Sequence, residues 1–230
     1  MIDTQRLRQK ILDLAIRGKL VPQDPEDEPA SVLLERIRQE KLQMVAEGKL
    51  KKKDIAKDSV IYRGDDNSHY EKVGDAEPVC VDDEIPFELP DGWTWARAKS
   101  LFTKIGSGST PRGGKKVYVK EGIKFLRSQN VYNDGLRLSD VAYITEQTNN
   151  QKCGSIVRPN DLLLNITGGS IGRCALVPSD FDVANVNQHV MILRTPAYEA
   201  APFLHECIVS ELIQAQIQKK QLGSGRGGGG

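Results

Sequence analysis

The stretch after Trp93 constrains the fold most, because its apolar residues come in short runs that turn-forming residues interrupt. Five such runs follow one another: GIKFLRSQNV (122–131), DVAYITEQT (140–148), DLLLNITGG (161–169), GRCALVP (172–178) and HVMILRT (189–195). Short apolar runs bounded by Gly, Pro, Asn and Asp are typical of β-strands. Helical spacing returns over 198–220. We therefore predict an α+β fold whose body is mixed and strand-rich and ends in a long C-terminal helix.

The first 53 residues differ, because their apolar residues recur at helical spacing. Residues 4–20 and 30–47 each predict an amphipathic helix, and the Pro- and acid-rich turn VPQDPEDEP separates them. Together they predict a helical hairpin. Two helices form a thin core, so two interpretations stay open: their apolar faces pack within the chain, or they dock a partner. The residues of these faces are Leu7, Ile11, Leu14, Leu33, Leu34 and Ile37.

The formal net charge of +1 hides a segregation of charge along the chain. Residues 1–53 hold 12 Lys and Arg against 9 Asp and Glu, residues 54–92 hold 3 against 12, and residues 93–230 hold 17 against 10. Short extended pieces are predicted only at 60–62 and 79–81 of the acidic part. We divide the chain into a helical segment (1–53), an acidic linker (54–92), a basic body (93–222) and a flexible Gly-rich tail (223–230).

Cysteine spacing and hydropathy argue against a zinc protein and a membrane protein. The four cysteines lie far apart, and neither CxxC nor HxxxH spacing occurs. The N-terminus MIDTQRLRQK is charged, unlike a signal peptide, and no apolar run reaches the roughly 18–20 residues of a membrane helix. We expect a cytoplasmic protein with reduced thiols, no bound metal and no membrane partner.

Motifs of the common nucleotide and nucleic-acid enzymes are also missing. There is no P-loop, and in GSGST (106–110) the third glycine of a dinucleotide-binding loop is replaced by Pro111. Without a Pro-Pro pair, the chain lacks the tetrapeptide with which adenine methyltransferases hold a flipped base. The acid-x-Lys spacing of metal-dependent nucleases occurs once, at Glu47-Gly48-Lys49, in what we interpret as a solvated helix end. We therefore predict no catalytic residues, and a cryptic nuclease or methyltransferase is the weakest hypothesis.

Residues of the types Ser, Thr, Asn, Gln and Arg cluster in four loops of the basic body, each at the end of a predicted strand. These loops are 106–116, 127–130, 165–173 and 185–189. Their hydroxyls, amides and cations are the groups that contact phosphates and base edges. The candidate DNA-binding residues are Ser107, Ser109, Thr110, Arg112, Lys115, Lys116, Arg127, Ser128, Gln129, Asn130, Thr167, Ser170, Arg173, Asn187, Gln188 and His189.

Each of these loops alone is equally well an ordinary surface turn. Four of them, on a segment of net charge +7, favour sequence-specific reading of double-stranded DNA. In this hypothesis the cations of the first loop anchor the phosphate backbone, and four amides read bases. The anchors are Arg112, Lys115 and Lys116, and the base readers are Gln129, Asn130, Asn187 and Gln188.

Most of the chain also carries a family resemblance. Residues 7–41 (LRQKILDLAIRGKLVPQDPEDEPASVLLERIRQEK) and 85–111 (IPFELPDGWTWARAKSLFTKIGSGSTP), with GIKFLRSQNV, DLLLNITGGSIGRCALVP and NVNQHVMILRT, are the matching segments. They resemble the specificity (S) subunits of type I restriction-modification enzymes. The first segment resembles the helical segment of these subunits, and the rest resembles one target-recognition domain, through about Arg226.

The resemblance implies a non-catalytic subunit that reads one half of a bipartite DNA target. It also implies recruitment of methyltransferase (M) subunits and of restriction or motor (R) subunits. Adenine N6-methylation and its S-adenosylmethionine belong to the M partner, so no cofactor is expected in this chain.

One target-recognition domain and one helical segment are half of what the family carries. We therefore interpret the sequence as a fragment or a natural half-subunit, and half-subunits can pair as a homodimer. The alternative hypothesis is a truncated interaction protein, or decoy, that binds the M subunit without reading DNA.

Overall fold

The protein has the predicted α+β fold, divided into two compact units. The structure is a computed structural model that describes residues 3–224, without the side chains of Gln5, Lys115 and residues 221–224. Unit 1 is Met1–Thr103 with Thr195–Ala197, and unit 2 is Lys104–Arg194 with Tyr198–Gly230.

Unit 1 begins with the two helices that the apolar spacing predicts. Helix α1 (Thr4–Ile16) starts where the Asp3 carboxylate accepts a hydrogen bond from the backbone N–H of Arg6, at 3.1 Å. Helix α2 (Ala30–Ala46) follows Pro29, and it contacts the short helices α3 (Lys52–Ile55) and α4 (Ala98–Leu101). Whether α1 and α2 form a hairpin stays a prediction.

A three-stranded antiparallel sheet occupies much of the segment that the sequence predicts as an acidic linker. Its strands are β1 (Ser59–Arg63), β2 (His69–Val73) and β3 (Val79–Cys80), in the order β1-β2-β3. The β1–β2 turn contains Asn67 in the left-handed region, with φ of 72°. Residues 54–92 therefore contain regular structure, and the functional division of the chain stays a prediction.

Charged groups inside unit 1 are paired. Lys41 is 2% exposed, and its ammonium contacts the Asp58 carboxylate at 2.5 Å and donates to the carbonyl of Lys99 at 3.0 Å. Arg97 donates to the carboxylates of Glu71 and Glu84, both at 2.6 Å. These hydrogen bonds hold the pKa of Glu71 and of Glu84 below the ordinary value.

Unit 2 is built on two four-stranded sheets, which contain the five short runs predicted as strands. One has the order β11-β10-β13-β4, and the other has the order β8-β5-β12-β9. The strands are β4 (Lys104–Ser107), β5 (Ile123–Leu126), β6 (Val131–Tyr132), β7 (Gly135–Leu136), β8 (Ala142–Ile144), β9 (Ile156–Val157), β10 (Leu162–Asn165), β11 (Cys174–Leu176), β12 (Ala184–Val186) and β13 (Val190–Arg194). Strands β6 and β7 form a separate hairpin, and helix α5 (Glu146–Gln151) follows β8.

The core of unit 2 lies where both sheets contribute fully buried apolar side chains. Leu126 and Val186 come from β5 and β12, a parallel pair, and Leu163 and Ile192 come from β10 and β13. Burial on both faces explains why these strands appear as near-continuous apolar runs in the sequence.

The single long terminal helix predicted from the sequence is two helices, α6 (Ala201–Val209) and α7 (Glu211–Ser224). Ser210 separates them with extended backbone, at φ −67° and ψ 153°. Its hydroxyl donates to the carbonyl of Cys207 at 2.6 Å, and its carbonyl accepts from the backbone N–H of Gln214. Serine is a favoured residue before a helix start, because it satisfies free backbone groups there. Most of the predicted tail, 225–230, lies outside the described residues.

Candidate nucleic-acid interface

Strand pairing brings three of the four predicted loops to one edge of a sheet in unit 2. In the order β10-β13-β4, Asn165 pairs with Val190 and Ser107 pairs with Met191. The end of β10, the start of β13 and the end of β4 therefore lie side by side. The loops that leave from these points are 107–116, 165–173 and 185–189, which the sequence singles out.

A chain of hydrogen bonds joins these three loops through their side chains. The backbone N–H and the hydroxyl of Thr110 both donate to Oε1 of Gln188, the former at 3.1 Å. Nε2 of Gln188 lies 3.0 Å from Nε2 of His189. Nδ1 of His189 in turn contacts the hydroxyl of Thr167. We call these four residues the relay.

A close backbone contact at Gly108 holds loop 107–116 against loop 185–189. The N–H of Gly108 donates to the carbonyl of Asn187 at 3.1 Å. A Cβ at this position would lie 1.8 Å from the carbonyl oxygen of Val186, which is impossible without moving backbone. Glycine is therefore required here for loop assembly.

Loop 127–130 is joined to loop 165–173 by hydrogen bonds, and Asp140 holds two of its side chains. Nδ2 of Asn165 donates to the carbonyl of Ser128 at 2.9 Å and to the hydroxyl of Ser170 at 3.1 Å. Nε2 of Gln129 donates to the Asp140 carboxylate, and Nη2 of Arg127 donates to the Asp140 carbonyl at 2.6 Å. Gln129 itself is exposed.

Two amides predicted to read bases are buried. Asn130 is 1% exposed; its Oδ1 accepts from the N–H of Arg127 at 2.9 Å, and its Nδ2 donates to the carbonyl of Arg137 at 2.8 Å. Asn187 is 7% exposed, and its Oδ1 accepts from the N–H of His189 at 3.0 Å. Both side chains are committed to backbone groups, Asn187 within its own loop and Asn130 to Arg127 of its loop and to Arg137 outside it. We therefore keep only Gln129 and Gln188 as candidate base readers.

Exposed cations flank the relay. Arg112 and Lys116 are exposed, and neither belongs to an ion pair among the described residues. The side chain of Lys115 lies outside the described residues. The guanidinium groups of Arg173 and Arg137 lie 4.6 Å and 5.1 Å from the ring centre of Tyr132.

Lys152 and Asp140 are part of this site although sequence reasoning missed both. Nζ of Lys152 donates to the hydroxyl of Ser109 at 2.7 Å. The carbonyl of Lys152 accepts from the buried amide of Asn185, at 3.1 Å, which ties that backbone to β12. Lys152 ends the polar stretch 145–152, and Asp140 begins an apolar run, but both are distant in sequence from the loop residues that they contact, so only the tertiary fold reveals their proximity.

The spacing Gly-x-Ser-x-Gly of a nucleophile elbow occurs at Gly168–Gly172, around Ser170. An elbow joins a strand to a helix and aims its serine at a histidine. Here the turn joins β10 to β11, and the Ser170 hydroxyl accepts from Asn165. The ring of His189 contacts Thr167 and Gln188 instead, so this serine lacks the partners of a nucleophile.

The apolar face predicted to bind a partner is exposed on α1 of unit 1. Leu7, Ile11 and Leu14 are 49%, 45% and 41% exposed, and their spacing places them on one face of the helix. Leu33 and Leu34 of α2 are half-buried. Ile37 is 1% exposed, so it belongs to the core of unit 1 and offers no surface to a partner.

The described part of the chain contains no group of three or more side chains able to hold a metal ion. Within the same residues, no helix is long and apolar enough to cross a membrane. The four cysteines are free thiols, and burial raises the pKa of Cys207 to about 12.

Comparison with known proteins identifies relatives of this chain. It is 35% identical over 160 residues to the specificity subunit of the type I restriction enzyme EcoAI from Escherichia coli, which is 70% of this chain and 23% of that subunit. It is 44% identical over 105 residues to the EcoEI specificity subunit from the same organism, which is 46% of this chain and 14% of that subunit. The chain therefore spans less than a quarter of the length of these relatives. No family model matches it.

Two solved structures match this chain at 17% sequence identity. One is a structure described as the structural basis of complex assembly and conformational transition of the type I R-M system. The match covers 54% of this chain and 28% of that chain, with a TM-score of 0.42. The other is the HsdS subunit from Thermoanaerobacter tengcongensis, where the match covers 86% of this chain and 51% of that chain, with a TM-score of 0.37. The family resemblance in the sequence is confirmed by the two sequence relatives: homologues of this chain are type I restriction enzyme specificity subunits.

Proposed function

We propose that this homologue of type I specificity subunits is a non-catalytic DNA-binding protein whose unit 2 reads one half of a bipartite target. The observation that carries the proposal is the relay, which joins three polar loops at one sheet edge. Loops positioned by a rigid sheet are the usual carriers of binding function. Unit 2 holds 15 Lys and Arg against 10 Asp and Glu, which supports attraction to a phosphate backbone.

The polar side chains of the loop cluster divide into two roles. The exposed Arg112 and Lys116 and the half-buried Lys152 contact phosphates, because cations bind phosphate oxygens and such contacts carry no sequence information. Gln129 and Gln188 read base edges, because they are the exposed amides of the cluster. Lys115 keeps its proposed phosphate role from the sequence alone.

The test compares one residue of each role in the full chain. Binding to duplexes is measured by fluorescence anisotropy at several salt concentrations. Arg112→Ala should weaken binding to all sequences alike and reduce the salt slope by about 1, whereas Gln129→Met should cost about 1–3 kcal/mol at one base position only. Lys57→Ala, at an exposed cation of unit 1, is the matched control and should change neither quantity.

Two results would contradict this proposal at different levels. If Arg112→Ala and Gln129→Met weaken every sequence equally, the division into phosphate and base contacts is wrong. If the chain binds no duplex at low salt, the DNA-reading function itself is wrong.

The exposed face of α1 supports a second part of the proposal, recruitment of an M subunit. Leu7, Ile11 and Leu14 expose an apolar stripe of the kind that partners cover. Ile11→Glu should abolish capture of the M subunit of the same system by the full chain, and DNA binding by unit 2 should be unchanged. Asp13→Lys, a charge change on the same helix, is the control. R subunits and a second copy of this chain are further proposed partners.

Capture of the M subunit without any DNA binding would instead support the interaction-protein alternative. In that case the α1 stripe, and not the loop cluster, carries the function.

A further inference from the structure

We propose that unit 2 reads bases through two glutamine amides of fixed and opposite orientation: Gln188 offers only an N–H donor to a base, and Gln129 offers its oxygen as an acceptor. This inference rests on the proposed DNA-reading function and makes it specific. A glutamine amide can rotate to offer either its oxygen or its nitrogen, and an amide free to rotate discriminates poorly. Each of these two is held by a partner that allows one orientation only.

The orientation of Gln188 is set by backbone. The N–H of Thr110 donates to its oxygen at 3.1 Å, and a backbone N–H never accepts. Oε1 is therefore turned toward Thr110, and the amide nitrogen is turned toward His189, where the two nitrogens lie 3.0 Å apart.

The orientation of Gln188 then fixes the tautomer of His189. An amide nitrogen only donates, so Nε2 of His189 accepts and the ring proton is on Nδ1. Nδ1–H donates to the Thr167 hydroxyl oxygen, which leaves the hydroxyl hydrogen of Thr167 to donate elsewhere. Gln188 and Thr167 are both exposed, so the relay presents an amide N–H and a hydroxyl O–H to a ligand.

The orientation of the Gln129 amide is set by a carboxylate and is opposite to that of Gln188, because its nitrogen and not its oxygen faces the partner. The Asp140 carboxylate only accepts, so one N–H of Nε2 of Gln129 donates to it, which leaves Oε1 to accept beside the second N–H. Asp140 is held from its other side, because its carbonyl accepts from Nη2 of Arg127 at 2.6 Å.

These polarities select different bases in the major groove. Guanine offers two acceptors there, O6 and N7, which match the two donors of the relay. Adenine N6 and cytosine N4 are amino donors, which match the acceptor of Gln129. We therefore assign guanine to the relay and an amino-bearing base, adenine or cytosine, to Gln129.

The test selects sequences from a randomised duplex library with the full chain and its variants. Gln188→Glu keeps the oxygen that accepts from Thr110 but has no N–H, so the preference for guanine at one position should fall by about tenfold or more. Thr167→Val should lose part of the same preference, and Thr167→Ser, which keeps the hydroxyl, should retain it.

Asp140→Asn tests the other amide, because an asparagine can either accept from Gln129 or donate to it. The preference for an amino-bearing base at a second position should relax, and the guanine position should be unchanged. Asp180→Asn removes the same negative charge at another exposed acid of unit 2, and it should leave every preference unchanged.

A spectroscopic measurement needs no DNA. Nitrogen-15 NMR of the free chain should find the ring proton of His189 on Nδ1 and not on Nε2, with assignment by a His189→Asn variant. A proton on Nε2 would overturn the assigned polarity of the relay, whatever the chain binds.

The outcomes separate this inference from the function on which it rests. If the unaltered chain selects no sequence, the DNA-reading function fails and the base assignment fails with it. If it selects a sequence but Gln188→Glu and Asp140→Asn keep all its preferences, the function stands and the fixed polarity is overturned.

Discussion

Units 1 and 2 pair their polar side chains with different chemistry. In unit 1 the partners are charges: the buried Lys41 pairs with Asp58, and the partly exposed Arg97 pairs with two glutamates. In unit 2 the groups near the loop cluster are neutral amides such as Asn165 and Asn187, and the buried ion pair Arg194–Asp161 involves the far end of β13. A guanidinium or ammonium only donates and a carboxylate only accepts, whereas an amide carries both a donor and an acceptor and can present either one to a ligand.

The two units also differ in net charge. Unit 1 holds 17 Lys and Arg against 21 Asp and Glu, and unit 2 holds 15 against 10. An acidic unit is repelled by a polyanion and a basic one is attracted to it. The separation suits a division in which one unit reads DNA and the other contacts proteins.

The largest expected effect concerns the backbone contact that assembles the loops of unit 2. Gly108→Ala should destabilise unit 2 by about 3–5 kcal/mol, at the upper end of single substitutions, because the new Cβ would collide with the Val186 carbonyl. Denaturant unfolding measures the loss. Gly106→Ala, two residues earlier and within β4, is the control, since its Cβ would find no atom nearer than 3.9 Å. Equal effects at both positions would contradict the proposed role of the close approach.

An intermediate effect is expected from the ion-pair chemistry of unit 1. Arg97→Met should cost about 1–2 kcal/mol at neutral pH, because two carboxylates lose a charged donor. The pKa values of Glu71 and Glu84 are lowered from 4.5, so this contribution is present above that pH and is lost as the pH falls through the lowered values.

The measurement is the free energy of unfolding between pH 7 and pH 2 for both proteins. The difference between them should be constant above about pH 5 and should shrink below it. Arg63→Met, which removes an exposed pair with Glu88 at 3.4 Å, is the control and should change stability by less than about 0.5 kcal/mol. A gap that widens in acid would refute the assigned sign.

The smallest effect is expected on the exposed face of α1. Ile11→Ala should change stability by no more than about 0.5 kcal/mol, because its side chain is 45% exposed. Ile37→Ala in the core of the same unit should cost about 2–5 kcal/mol. Thermal unfolding distinguishes the two. A large loss from Ile11→Ala would mean that α1 is held by packing within the chain and is not free to bind a partner.

The strands of unit 2 that fall in the five apolar runs were predictable, because burial leaves a direct signal in the sequence, as at Leu162–Asn165. Other strands of this unit, such as β9 and β12, were not predicted. Two short strands of unit 1, around 60–62 and 79–81, were also predictable. Strand β2 (His69–Val73) was not, because it alternates charged and half-buried residues without an apolar pattern. The helix break at Ser210 was not predicted, because the apolar spacing continues across it.

The candidate site was predictable in its loops but not in its individual roles. Residue type alone makes Asn130 and Gln129 equivalent, yet Asn130 is buried on backbone groups and Gln129 is exposed. Such commitments depend on local geometry that a list of polar residues does not contain. Lys152 joins the site through its own hydrogen bond to Ser109 and through a buried amide network around Asn185, both of which link residues distant in sequence.

The pairing of β4 with β13 has a consequence for synthesis of the protein. Ser107 of β4 pairs with Met191 of β13, so β4 cannot form these hydrogen bonds until 84 further residues have been synthesised. Hydrogen bonds between residues so far apart form late, because a long loop must close first. While the chain is still being translated, the β1–β2 hairpin of unit 1 already has both of its strands, and the loop cluster of unit 2 has neither its sheet edge nor its relay. A ribosome stalled before β13 would therefore hold a protein with a formed hairpin and no reading surface.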